Sequence, residues 1–386
     1  MIKNRLTFCL IYIFAFLWTL AGSVPTYIQS SFLEQFVGIK IVGLYITVAT
    51  FITLLVIFVF PRVIKRFSNY WTTVVLMFLL AMSAWCLSII QSPWFVLLFF
   101  ISHYLAFNLI AINIDVFLEN ISDKRHSGRI RTTFLTVINV AWVISPFIMG
   151  ELTGNNNYSL VYLATLFVII PAIVVLLLSK KHLQDHTEYK SRHLHQLLKV
   201  FRKNKDLARI FKVSFALRIF YCIMVLYTPL YLHEYIGFSW EQIGLIFTIM
   251  LLPFVIFQMP AGTLADRYFG EKEIMVLGLI IMMIATGAIF FISSASFVVW
   301  SSILFLTRVG ASLVEAMQDV YFFKIVNKRD MDLINLFRDL RPAAWLAGSL
   351  LAVVILEFLP FQYIFLAVAL ILLIAIRPAL ALKDTK

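Results

Sequence analysis

The sequence predicts an all-α polytopic membrane fold of twelve spanning helices in two pseudo-symmetric six-helix bundles, and three observations carry that prediction. Hydrophobic residues make up 62% of the 386-residue chain and charged ones only 13%, whereas soluble domains run near ~45–50% and ~25%. The apolar residues fall in twelve continuous runs, each near the ~20 residues a helix needs to cross ~30 Å of hydrocarbon. The two halves of the chain also repeat each other at a constant spacing.

The runs lie at about 7–30, 39–60, 70–91, 93–118, 132–152, 158–179, 209–233, 239–262, 273–294, 297–324, 334–357 and 359–380. They are continuous rather than alternating, which excludes the strands of a membrane barrel. The first run lacks a convincing small-residue cleavage site and reads as a retained span. Short links at Gln91-Ser92-Pro93 and Ser293–Ser296 separate two of the pairs. A mean hydropathy of +0.93 leaves no room for a large water-exposed domain.

The longest link divides the chain into an N-terminal bundle at 1–180, a linker at 181–208 and a C-terminal bundle at 209–386. The linker is rich in Lys and Arg, and its Leu194, Leu197, Leu198 and Phe201 recur at helical spacing. An amphipathic helix lying on the inner membrane face is expected there. With both termini inside, 27 of the 32 basic residues fall in inside loops or tails. Arg218, Arg308, Arg338 and Arg341 are counted as within spans, those at the inner span ends (Arg209, Lys212, Lys324 and Arg377) with the inside, and Lys40 alone falls outside. A multi-pass protein of the inner (cytoplasmic) membrane with both ends cytoplasmic is therefore expected.

The net charge of +12 would raise nucleic acid as a partner for a soluble chain. Here the basic residues cluster between apolar runs, as in cytoplasmic loops, so that partner is not expected. Cys9, Cys86 and Cys222 form no C-x-x-C pair and imply neither disulfide nor metal. The linker histidines His182, His186, His193 and His195 have no accompanying ligand set and read as solvated. No H-E-x-x-H, G-x-S-x-G or Walker-type loop occurs, so neither an enzyme nor an ATP-driven pump is expected. No cofactor or metal is expected, and the chain is taken as a monomer in the bilayer.

The repeat is read from several matches. Val24-Pro25-Thr26-Tyr27 aligns with Thr228-Pro229-Leu230-Tyr231 at an offset of 204, and Asp115-Val116-Phe117 with Asp319-Val320-Tyr321 at the same offset. Asp123-Lys124-Arg125-His126 aligns with Asn327-Lys328-Arg329-Asp330, again at 204, and Ala141-Trp142 with Ala344-Trp345 at 203. Six plus six helices with both ends inside give parallel repeats about an axis along the membrane normal.

Between the eighth and ninth runs stands Gly262-Thr263-Leu264-Ala265-Asp266-Arg267-Tyr268-Phe269-Gly270-Glu271-Lys272. This loop resembles the major facilitator signature G-x-L-A-D-R-x-G-R-K. It has one extra residue before the second Gly, and Glu271 at a usually basic position. The equivalent first-half loop, Pro61–Phe67, keeps basic residues but has no acid. The resemblance implies a secondary transporter of the major facilitator superfamily. It also implies a one-sided latch from Asp266, with Arg267 beside it, to Arg129 or Arg131 at the start of the fifth helix. The competing reading has Asp266 satisfying backbone at its own helix end.

Charges within spans are costly and become functional candidates. Arg308, Ser312, Glu315 and Asp319 are spaced 4, 3 and 4 along the tenth run and share one helix face. Arg218 lies at comparable depth in the seventh. In the family the first, fourth, seventh and tenth helices line a central cavity, so the resemblance points Arg218, Arg308 and Glu315 toward one cavity. The repeat-related face of the fourth run, Tyr104, Asn108, Ala111 and Asp115, is uncharged at depth. Glu315 has two readings: a coupling residue that exchanges a proton, or a fixed counter-charge for Arg308, Arg218, Arg338 or Arg341. Asp115, Asp319, Arg129, Arg131, Arg338 and Arg341 sit near cytoplasmic ends and are read as an inner gate. Asn108, Asn139, Trp142 and Tyr221 are candidate solute contacts. The expectation is alternating-access transport of a small organic solute, with proton-coupled efflux as the finer form. A polytopic membrane enzyme and a non-transporting scaffold of the same fold are the alternatives.

Overall fold

The structure is a computed structural model describing residues 2–121, 127–154, 156–181, 183, 204–265, 268, 270–326, 333, 336–337 and 340–383. The side chains of residues 2–5, 119–121, 127–132, 259 and 263 fall outside that description. So do the expected linker helix around Leu194–Phe201 and the four linker histidines. Asp266, Arg267 and Arg338, together with the side chains of Arg129 and Arg131, are likewise outside it.

The described residues form helices and no strands. In order they are α1 (Ile2–Thr26), α2 (Gln29–Val37), α3 (Ile39–Phe67), α4 (Asn69–Ile89), α5 (Pro93–Ile121), α6 (Ser127–Thr153) and α7 (Tyr158–Leu178). There follow α8 (Lys205–Leu226), α9 (Thr228–Tyr231), α10 (Trp240–Leu251), α11 (Pro253–Ile256), α12 (Gln258–Leu264), α13 (Glu271–Ile289), α14 (Phe297–Ile325), α15 (Leu340–Phe358) and α16 (Tyr363–Leu380). Twelve stretches are long and apolar enough to cross a membrane. The seventh combines α8, α9 and a π-turn at Leu232–Ile236, and the eighth combines α10, α11 and α12.

Local chemistry explains these limits. The side chains of Ser68, Asn157 and Asn204 accept backbone N–H groups at the starts of α4, α7 and α8, satisfying donors that have no partner within the helix. Pro229 and Pro253 open α9 and α11, where a missing N–H costs nothing. The first span ends earlier than its apolar run suggests, because the helix breaks at Tyr27–Ile28 and restarts as α2. Inside the spans hydroxyls turn back on their own helix, as Thr47 does to the Gly43 carbonyl at 2.7 Å and Thr153 to that of Met149 at 2.7 Å. Lipid offers them no other acceptor. Large apolar side chains such as Phe58, Trp94, Phe167 and Ile374 stay exposed, as lipid facing requires.

The chain divides into two compact units, Met1–Tyr189 with Ser239–Gly244 and Lys190–Phe238 with Leu245–Lys386. Within the first, the third span packs on the fourth and sixth, the first on the fifth and sixth, and the second on the fourth. Its core includes Phe14, Trp18, Met77, Ile110 and Ile169. Within the second unit the ninth span packs on the tenth and twelfth, the seventh on the eleventh and twelfth, and the eighth on the tenth. Adding six to each span number converts one scheme into the other. The internal repeat read from short matches is thus carried by the whole packing arrangement.

Candidate functional site

In the second unit α8 and α14 pack side by side and carry the charged face expected of the tenth span. Arg308 is buried, at 1% exposure. Its guanidinium carbon lies 5.0 Å from the Phe220 ring centre and 5.5 Å from that of Tyr221. Aromatic faces carry negative quadrupole charge and offset part of the cost of burying the cation. Tyr221 Oη donates to Glu315 Oε2 at 3.2 Å. Arg218 Nε donates to Ser214 Oγ at 3.4 Å, one turn back on its own helix. Phe254 of α11 stands 6.3 Å from Tyr221, ring centre to ring centre. Arg218, Arg308 and Asp319 all act electrostatically on Glu315.

This geometry bears on the two readings of Glu315. A fixed counter-charge would sit within ion-pair distance of a guanidinium. Among the described residues neither Arg218 nor Glu315 makes an ion pair, and the Glu315 carboxylate is held instead by a phenol. Arg218, Tyr221, Glu315 and Asp319 are half-buried rather than sealed. Arg218 and Glu315 therefore act on one another without an ion pair between them.

Two features fix the height and tilt of α14. Midway along it, Gly310 meets Gly278 of α13 backbone to backbone. A Cβ on Gly310 would lie 2.5 Å from the Gly278 oxygen and 2.6 Å from Met282 Cγ. At its far end Lys324 pairs with Glu271, the first residue of α13. The Glu271 side chain is 1% exposed and that of Lys324 43%. The acid at a usually basic place in the loop signature is thus matched by a cation.

The other expected residues lie elsewhere. Arg341 covers the face of Trp345 at 5.3 Å on α15. Asn108, Asn139 and Trp142 belong to the first unit. Asn108 Nδ2 donates to the carbonyl of Tyr104 at 2.8 Å, and Trp142 meets Tyr27 edge-on at 6.2 Å. Asn139 is half-buried on α6, and Asp115 is half-buried on α5. Sequence reasoning passed over two contributors to this setting and one buried histidine of the first unit. Phe220 and Phe254 were hidden among 37 phenylalanines. His103 is buried and bonds through Nδ1 to Ser83 Oγ at 3.2 Å; a histidine in mid-span was the signal for it. Among the described residues no group of three or more His, Cys, Asp or Glu is placed to hold a metal ion.

Comparison with known proteins agrees with this architecture. A family model described as the Major Facilitator Superfamily matches residues 6–340 and, in an overlapping match, 241–385. No curated protein matches the chain in sequence. A bacterial homologue of the human lysosomal transporter Spinster, solved inward-facing and unoccupied, superposes with a TM-score of 0.75 at 11% identity, covering 98% of this chain and 96% of that one. The nucleoside transporter NupG gives 0.72 at 15% identity over 98% and 100%. A bacterial metal transporter gives 0.65 at 14% over 97% and 98%. At these identities the likeness is one of fold.

Proposed function

Because the chain belongs to the Major Facilitator Superfamily, we propose that it is a secondary active transporter of a small organic solute, working by alternating access. The observation that carries the reading is the gathering of Arg218, Arg308 and Glu315 on neighbouring helices, with Arg218 and Glu315 outside any ion pair among the described residues. Charge kept in a span without a fixed partner is expensive, and a passing solute or proton explains its presence. Arg218 and Arg308 favour an anionic or strongly polar group, and Tyr221 lines the same place. Proton coupling runs through Glu315. Proton-coupled efflux is the finer form of this proposal, with the proton carried by Glu315.

The protein lies in the cytoplasmic membrane with both ends inside in this proposal, on the strength of the Lys and Arg distribution. Asp266 with Arg267, Asp115, Asp319, Arg129, Arg131, Arg338 and Arg341 serve closure of the cytoplasmic end. Asn108, Asn139 and Trp142 are the proposed solute contacts within the first unit. Reconstituted liposomes tested on a panel of solutes, with and without a pH gradient, check the reading. Solute should accumulate only under a gradient, and Glu315→Gln should remove the dependence on pH. Transport by Glu315→Gln with an unchanged pH dependence would sink the coupling role. Chemical conversion of a solute without regard to any gradient would favour an enzyme.

A further inference from the structure

We propose that the end of the first unit where the second span turns into the third binds the headgroup of an anionic phospholipid, with the third and sixth spans carrying its acyl chains. This holds whether or not the protein moves a solute. Near the end of α3, Arg62, Lys65 and Arg66 are all exposed. Their spacing, i, i+3 and i+4, puts them on one helix face, while Phe60 and Ile64 belong to the core. After Ser68 the chain starts α4, whose Trp71 is 50% exposed. α4 packs on α7, and Tyr70 Oη donates to the Leu176 carbonyl at 3.4 Å. The end of the sixth span is thereby brought alongside, and Lys180 Nζ stands 4.8 Å from the Trp71 ring centre. Lys181 follows it, also exposed. Arg66 lies 5.4 Å from the ring centre of Phe67, itself 57% exposed.

Five cations therefore meet without an acid to match them among the described residues. The described acids of this unit are Glu34, Asp115, Glu151 and Glu241. Glu34, Glu151 and Glu241 lie at the opposite end of the spans, and Asp115 stands on α5. Cations alone would mark only a solvated surface. Here two exposed aromatic rings lie against them, as side chains at headgroup depth do. A ring face holds a cation in place and leaves its N–H donors for phosphate oxygens. Below the cations each helix exposes an apolar stripe: Trp71, Val75, Phe78 and Met82 on α4, and Leu177, Val174 and Phe167 on α7. At ~1.5 Å per residue each stripe runs ~15 Å, the depth of one leaflet of a ~30 Å core. A cationic end above two apolar lanes matches a diacyl lipid with a phosphate head, and a basic patch between spans is the usual form of such a site.

The internal repeat separates this feature from a general excess of basic residues. At the offset of 204, Arg62, Arg66 and Trp71 correspond to Asp266, Gly270 and Met275, Phe67 corresponds to Glu271, and Lys180 to Asp384. Met275 is buried, and Glu271 pairs with Lys324. The second unit thus has acids where the first has cations and an exposed ring. The chain's own linker does not supply the missing negative charge. Between 182 and 203 it carries Asp185 and Glu188 against Lys190, Arg192, Lys199, Arg202 and Lys203, so like charge repels it.

The test uses the full chain, purified in detergent and stripped of lipid. The probes are phosphatidylglycerol, phosphatidylcholine with the same acyl chains, and inorganic phosphate. Bound lipid is counted by native mass spectrometry, and stability is read as the thermal midpoint. Phosphatidylglycerol should be retained fivefold or more over phosphatidylcholine. Arg66→Gln/Lys180→Gln should cut that preference to below twofold. Lys212→Gln/Arg377→Gln removes the same charge from exposed positions of the second unit and should keep the preference. A benzophenone side chain at position 71 of the otherwise unaltered chain should form an adduct with the mass of phosphatidylglycerol. Equal retention of the two lipids, equal loss in both double variants, or an adduct to the linker or to a second copy would each overturn the proposal. So would a rise in thermal midpoint with inorganic phosphate as large as that with phosphatidylglycerol, since the free anion would then suffice.

Discussion

The Glu271–Lys324 pair should respond very differently to removal of its two members. The Glu271 side chain is 1% exposed, so Lys324→Met takes a cationic partner from a carboxylate that water reaches poorly. Losing one partner of a buried pair costs about 3–5 kcal/mol. Glu271 is also the first residue of α13, whose N-terminal dipole supports an acid by up to about 1 kcal/mol. The expected loss for Lys324→Met is therefore about 2–4 kcal/mol. Lys324 is 43% exposed, so after Glu271→Gln its ammonium turns to solvent, and the loss should stay near 1 kcal/mol. In Glu271→Gln/Lys324→Met no charge is stranded, and most of the single-variant loss should return. At roughly 2–4 °C per kcal/mol for a unit of this size, Lys324→Met should lower the thermal midpoint in detergent by about 4–16 °C and Glu271→Gln by about 2–4 °C. Equal shifts for the two single variants, or a double variant no better than Lys324→Met, would refute the burial argument. Reversal of the pair, Glu271→Lys with Lys324→Glu, would then place a base where the loop signature usually has one.

Three further outcomes follow from the same packing. Gly310→Ala must part α13 from α14 by about 1 Å to reach ordinary contact; overpacking of this kind costs about 1–3 kcal/mol, read as a lower thermal midpoint with weaker solute binding. Arg308→Lys should cost about 1–2 kcal/mol, because a compact ammonium cannot lie flat against both Phe220 and Tyr221; an unchanged midpoint would count against the ring contacts. His103→Leu should cost less than about 1.5 kcal/mol, because Ser83 keeps its bond to the Leu80 carbonyl at 2.9 Å and no donor is orphaned; a loss above about 3 kcal/mol in the same measurement would mean the imidazole has a further role.

Span number, the internal repeat and the charged face of the tenth helix were all legible in the sequence, because each depends on a pattern many residues long. Lipid demands long apolar runs, and helical spacing places Arg308, Ser312, Glu315 and Asp319 together without knowledge of any neighbour. What could not be read was pairing across helices. Nothing in spacing says that the Glu315 carboxylate is held by Tyr221 rather than by a guanidinium, since that depends on how α8 is rotated against α14. Lys324 as the match for Glu271 is hidden for the same reason, the two being 53 positions apart. The aromatic setting of Arg308 was obscured by abundance, because aromatics are 16% of the chain and composition cannot single out Phe220. Breaks were only half visible: Pro25 lies inside α1, one residue before its end, whereas Pro229 stands just beyond a break at Tyr227.

The two units share a packing scheme and differ in charge, and that difference has a physical reading. The repeat relates Arg308, Ser312, Glu315 and Asp319 to Tyr104, Asn108, Ala111 and Asp115. In the first unit Tyr104 and Asn108 make neutral hydrogen bonds: Thr50 Oγ1 donates to the Tyr104 hydroxyl at 3.3 Å, and Asn108 donates to its own helix. Such groups are cheap to place in a span, because their partners lie within one or two helices. In the second unit an arginine is buried, and an acid is held among the described residues by a phenol, at a cost that packing must offset. The close Gly278–Gly310 approach and the Glu271–Lys324 pair, both on α13 and α14, supply a rigid mount for that helix. At the position related to Gly310 the first unit has Ala106, and at that related to Gly278 it has Val74, so its third and fourth spans have no need of so close a seat. A duplicated bundle can thus keep one copy as a neutral frame and spend the stability of the other on holding charge in place. Rigidity beside α14 is then part of the chemistry, because a guanidinium and a carboxylate kept near but apart need a backbone that cannot drift toward the pair.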